Sequence, residues 1–170
     1  MAAIVLHTAL RRFLFRFFAI FLIVEVILSI FPPVFFQEWL ARIIGNMLDI
    51  PVQGVFVHVN NLRFEISAFC TGLSTIGLWL GLVYGFPFPP AREKTRYALA
   101  GGGIILLANV IRLVGIVYVG MLSSFAAVDT LHTITWFVMS ALVCGMWYYL
   151  LAKKIGTFDS KKIAQKLLEM

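Results

Sequence analysis

Residues 97–120 read YALAGGGIILLANVIRLVGIVYVG. The run is apolar or small almost throughout, and it exceeds the roughly 20 residues that cross a hydrocarbon core. Two residues break it. Asn109 and Arg112 are three apart and so share one helical face. Counting back from Gly120, Arg112 lies roughly 12 Å inside the outer end. A charge near the centre of a membrane helix costs roughly 2.5 kcal/mol or more, so Arg112 needs a reason to be there.

Outward from this stretch, three more runs have similar character. The sequence predicts spans at about 13–31, 68–86, 97–120 and 131–151. The chain of 170 residues is 61% hydrophobic and 13% charged, which excludes an ordinary water-soluble domain. The expected fold is an all-α integral membrane bundle of about four transmembrane helices, forming a single domain over residues 1–170. The net charge of +6 does not point to nucleic acid, because the basic residues cluster at the ends of apolar runs, where they set topology. Arg11 and Arg12 precede the first run, which carries Arg16 near its start. Arg92, Lys94 and Arg96 fall in a predicted loop at 87–96, and Lys153, Lys154, Lys161, Lys162 and Lys166 in a tail at 152–170. All three regions are expected on the cytoplasmic side, with both termini there. The first run starts like a signal peptide but lacks a small-residue cleavage site, so it reads as a retained anchor.

The segment at about 37–67 then falls outside. Trp39 to Leu48 has helical apolar spacing and is expected along the interface. Val55 to Ile66 alternates around Asn60-Asn61 and predicts a hairpin. In that register His58 faces Arg63 and Phe56 faces Glu65, while Val55, Val57, Val59, Leu62, Phe64 and Ile66 share the other face.

The hairpin leads into Cys70. Cys70, Arg112 and His132 stand in or at the edge of three different runs, and they make a matched set: nucleophile, anion stabiliser and base. Thr71 and Ser74 surround the sulfur with small polar groups, and Asn109 is positioned to orient the guanidinium. Each has a plainer explanation. Cys70 could be a small packing residue, Arg112 could pair with Glu25 at similar depth, and His132 could sit at the interface with Asp129 as a helix cap. His58 competes as the base. Cys144 lies roughly 18 Å deeper than His132 and reads as packing. With two cysteines far apart, neither a CxxC pair nor a metal cluster is available, and no metal or cofactor is expected. Gly77, Gly81 and Gly85 recur every four residues, a stripe for close helix approach and an expected groove for a substrate helix.

The order Cys70-Thr71-Gly72-Leu73-Ser74, then Asn109-x-x-Arg112, then His132 opening the last run, resembles the exosortase/archaeosortase family over about Val52 to Leu151. The resemblance implies a membrane cysteine protease or transpeptidase. Its partners would be exported proteins with a C-terminal sorting signal of short motif, hydrophobic helix and basic tail, with membrane lipid as a possible acceptor. Cys70 would be the nucleophile, Arg112 the essential arginine and His132 the third member, facing the extracytoplasmic side of the cell membrane. The thioester would be resolved by water or an amine. The rival is a non-enzymatic membrane assembly or transport subunit, in which Arg112 and Glu25 form a structural pair.

Overall fold

The computed structural model describes residues 2–59, 62–86, 90–160 and 162, with backbone alone at 2–9 and 125. Helix α1 covers Ala2–Ile30 and stops before Pro32-Pro33, since a proline cannot donate to a continuing ladder. Helix α2 covers Val34–Leu48 and ends on Asp49 in the left-handed region at φ 53°. Three short strands follow: β1 Val52–Gln53, β2 Phe56–Val59 and β3 Leu62–Glu65. A 3-10 turn at Ala68–Thr71 leads into α3, Leu73–Gly85. Helix α4 spans Ala91–Leu122 and α5 spans Phe125–Ile155.

Helices α1, α4 and α5 are long and apolar enough to cross a membrane. The expected second span at 68–86 is divided. Its first residues form the 3-10 turn, Gly72 breaks the path at φ 79°, and the 13 residues of α3 rise only about 20 Å. Two other boundaries are corrected. Residues 91–96, expected in a loop, are the first turns of α4, which begins directly after Pro90. Proline before the first helical residue suits a helix start. The gap expected between the spans at 97–120 and 131–151 shrinks to Ser123 and Ser124, so α5 begins at Phe125, and Asp129 is not its cap but an interior residue whose carbonyl accepts from Thr133.

The hairpin has the expected register: Phe56 opposite Glu65, Val57 opposite Phe64, His58 opposite Arg63 and Val59 opposite Leu62. Its turn at Asn60-Asn61 lies outside the described residues. Strand β1, which the sequence did not signal, adds to the far edge by pairing Val52 with Val57. Alternation puts Val57 and Val59 on one face. With Ile66 they are buried against Leu40, Ala41 and Ile44 of α2 and Leu113 and Val117 of α4.

A second apolar cluster joins α3, α4 and α5: Trp79, Val83, Ile105, Met139 and Val143. The Trp79 indole N–H donates to the carbonyl of Tyr97 at 3.1 Å. Its ring lies over Gly101, where an added Cβ would come within 2.3 Å of the indole.

The glycine stripe of α3 does permit close helix approach, and the helix it receives is α1. A Cβ on Gly77 would lie 2.8 Å from Val24, and one on Gly81 3.0 Å from Phe17. The groove expected for a substrate helix is therefore filled by the chain itself. The outward face of α1, including Phe15, Phe18, Leu22 and Ile23, is left exposed, as a lipid-facing surface requires.

Candidate active site

Cys70 is the third residue of the 3-10 turn. The turn is closed by Cys70 N–H donating to the Ser67 carbonyl at 2.9 Å, and by the Thr71 hydroxyl donating to the Ala68 carbonyl at 2.6 Å. Thr71 Oγ1 also accepts from the Leu73 N–H at 3.3 Å, so this fully buried side chain ties the turn to the start of α3. Gly72 has two reasons to be glycine. Its φ of 79° is unfavourable for a side chain, and a Cβ there would lie 2.9 Å from Asn109 Cγ. The turn can thus press directly against α4.

Asn109 is buried at 1% exposure. Its Nδ2 donates to the Cys70 carbonyl at 2.8 Å, and its Oδ1 accepts from Arg112 Nη1 at 3.2 Å. Arg112 Nε donates to Thr135 Oγ1 at 2.9 Å, and Thr135 in turn donates to the His132 carbonyl at 2.9 Å. Arg112 Nη2 stands 3.4 Å from His132 Nδ1. A continuous chain of polar contacts therefore runs from the Cys70 backbone through Asn109 and Arg112 to α5. Three of the five guanidinium N–H groups have partners among the described residues, and two do not.

Cys70 and His132 line one pocket of about 240 Å³, with Phe64, Glu65 and Asp129 also in its wall. The sulfur accepts a hydrogen bond from Ser67 Oγ at 3.4 Å. The two ring nitrogens of His132 meet donors: Arg112 at Nδ1 and the Trp136 indole N–H at Nε2, 3.1 Å away. A neutral imidazole has one acceptor nitrogen, so it satisfies one of these donors at a time. Arg112 also lies 5.6 Å from the centre of the Trp136 ring, close enough for cation–π attraction.

Read from the sequence, Thr135 has no assigned role and Trp136 only an interface or packing role, whereas the structure sets both against Arg112 and His132. Their spacing of three and four residues from His132 puts them on the same face of α5, which was the available signal. Ser67 was likewise overlooked because it lies before the motif. Ser74 faces the other side, lining a pocket of about 110 Å³ with Arg112 and Trp136. His58 is absent from the wall of the Cys70 pocket. Arg63, opposite it, lies 3.8 Å over the Phe56 ring.

Two expectations are corrected. Glu25 and Arg112 do not pair: among the described residues the ion pairs are Glu38 with Arg42 and Glu93 with Lys154, and Glu25 Oε1 is buried without a hydrogen-bond partner. Helix α1 docks on α3, whereas Arg112 is held by α5. Cys144 is exposed on the surface of α5 and not packed inside the chain.

These features define a multi-pass membrane protein whose Cys, Arg and His side chains converge beneath a small sheet. The model of the transmembrane exosortase family matches residues 2–149, and the chain belongs to that family. It is also similar to a probable archaeosortase D from Methanocaldococcus jannaschii, at 24% identity over 143 residues, 84% of this chain and 90% of the relative. No solved structure matches.

Proposed function

We propose that this protein is a cysteine peptidase or transpeptidase that cleaves the C-terminal sorting signal of exported proteins through a thioester on Cys70. The observation that carries the reading is the polar chain Cys70–Asn109–Arg112–His132 beside a pocket, in a member of this family. The catalytic roles are argued from chemistry. The Cys70 thiolate attacks the scissile carbonyl, helped by the Ser67 hydroxyl that already donates to the sulfur. The two uncommitted Arg112 N–H groups hold the oxyanion. His132 takes the thiol proton across the pocket, through a water or a ring rotation away from Trp136, and returns it to the leaving amine. Water or an amine then resolves the thioester.

In this reading α3 with its 3-10 turn is a short fourth crossing. Both termini are cytoplasmic, α2 lies along the outer surface, and the Cys70 pocket opens to the extracytoplasmic side. The rival reading, a non-enzymatic subunit built on an Arg112–Glu25 pair, loses the contact it depended on.

The test is acylation of purified protein by a peptide carrying a sorting signal, read by intact-mass spectrometry. A covalent adduct on Cys70 that hydroxylamine removes is the expected result. Normal processing by Cys70→Ala would end the proposal. Loss of processing with adduct formation intact in His132→Ala would move His132 from the first step to the second.

A further inference from the structure

Glu25 is a carboxylate in the membrane-crossing part of α1, and its Oε1 is buried with no hydrogen-bond partner. A buried acceptor of this kind is costly, and native structures rarely leave one unpaired. Glu25 belongs to neither ion pair among the described residues. It lines a pocket of about 350 Å³ together with Ser29 of α1, Ser74 of α3, and Ala68 and Phe69 of the Cys70 turn. Phe69 and Ser74 are also in the wall of the smaller pocket at Arg112, so the Glu25 cavity adjoins the site from the α1 side. None of its lining residues is shared with the pocket between Cys70 and His132.

We propose that this cavity binds the primary ammonium group of an amine. The chemistry of the wall fits that group. An ammonium has three N–H donors and no acceptor, and the wall offers three acceptor groups: one carboxylate and two serine hydroxyls. One of those N–H groups answers the unpartnered Glu25 Oε1 directly. A divalent metal is a poorer match, because no group of three ligating His, Cys, Asp or Glu side chains exists among the described residues. The remaining wall is apolar, with Val26, Leu28 and Pro32, and suits the carbon skeleton that carries the amine. An amine bound there lies against the turn that bears Cys70. Its use as an acyl acceptor rests on the function proposed above, whereas its binding does not.

The experiment uses Cys70→Ala protein in uncharged detergent, so the result does not depend on whether Cys70 is a nucleophile. Native mass spectrometry counts the lipid retained from an equimolar mixture of phosphatidylethanolamine, its mono- and dimethyl derivatives, phosphatidylcholine and phosphatidylglycerol. Retention should fall with each N–H lost, to about tenfold between phosphatidylethanolamine and phosphatidylcholine. Glu25→Gln should erase that order. Competition with free ethanolamine separates the two sources of the group: displacement means the ammonium alone suffices, and resistance means the lipid body contributes. Equal retention of all five lipids by the Glu25 protein overturns the proposal, as does an unchanged order in Glu25→Gln. The methylation series needs no change at Glu25, so a variant that fails to fold leaves the test intact.

Discussion

Ile105 and Leu113 are both buried on α4, and each belongs to an apolar cluster, yet the residue midway between them is Asn109. The inner cluster around Trp79 and Val143 is held by shape. The outer cluster under the sheet is held by shape too, but a polar layer separates the two, and in that layer every contact is directional: Asn109 to the Cys70 carbonyl, Arg112 to Asn109, Thr135 and His132. The contrast teaches where tolerance should lie. A cluster held by dispersion accepts another apolar residue of similar volume, whereas a donor in the polar layer accepts no substitute lacking its geometry.

The largest expected effect tests the polar layer at its reactive end. Cys70→Ala should abolish substrate processing while leaving the melting temperature in detergent unchanged, since a small partly buried side chain is removed. A large drop in melting temperature would make the sulfur a structural element. Next comes Arg112→Lys, which keeps the charge but cannot reach Asn109, Thr135 and His132 at once. Its rate should fall by about a hundredfold or more at normal expression. Recovery of most of the rate by lysine would reduce the contrast to one of charge alone.

Ile105→Ala breaks the inner region instead. It should cost about 2 kcal/mol, the low end for such truncations, because lipid replaces water as the competing solvent. Activity per folded molecule should be intact, and chemical or thermal unfolding in detergent read beside a turnover assay separates the two quantities. Trp136→Phe sharpens the comparison within the polar layer. It removes the indole N–H from His132 Nε2 and keeps the ring under Arg112. A rate change of less than about tenfold is expected, with the acidic limb of the pH–rate profile moved, because the imidazole then has one obligate donor neighbour in place of two. Cys144→Ala should change neither rate nor stability, since that side chain faces outward.

The directional layer was partly legible in the sequence for the same reason it is chemically unusual. A polar residue inside a long apolar run stands out, and Asn109, Arg112 and His132 did so. The hairpin was legible to the residue, since alternation with period two permits one register once Asn60-Asn61 is taken as the turn. The second apolar run was not. Hydropathy sees 68–86 as continuous, and it is blind both to the positive φ of Gly72 and to the approach of Asn109 from another helix. The helix starts at Ala91 and Phe125 were set too late for a similar reason: charged and polar residues such as Arg92, Glu93 and Asp129 ended the apolar windows without ending the helices. The docking of α1 on the glycine stripe was invisible as a choice of partner, because the spacing announces a close neighbour without naming it.

Trp79 and Gly101 carry a further consequence. The indole occupies the space where a side chain at position 101 would begin, so even a methyl group there collides with the ring. The two positions are therefore a single heritable unit. Descendants of this chain can enlarge residue 101 only after residue 79 has shrunk, and a smaller residue 79 must first survive with an empty notch beside it. Of the two orders in which the pair can change, one passes through a cavity and the other through a clash, which gives this part of the bundle a one-way route through sequence space.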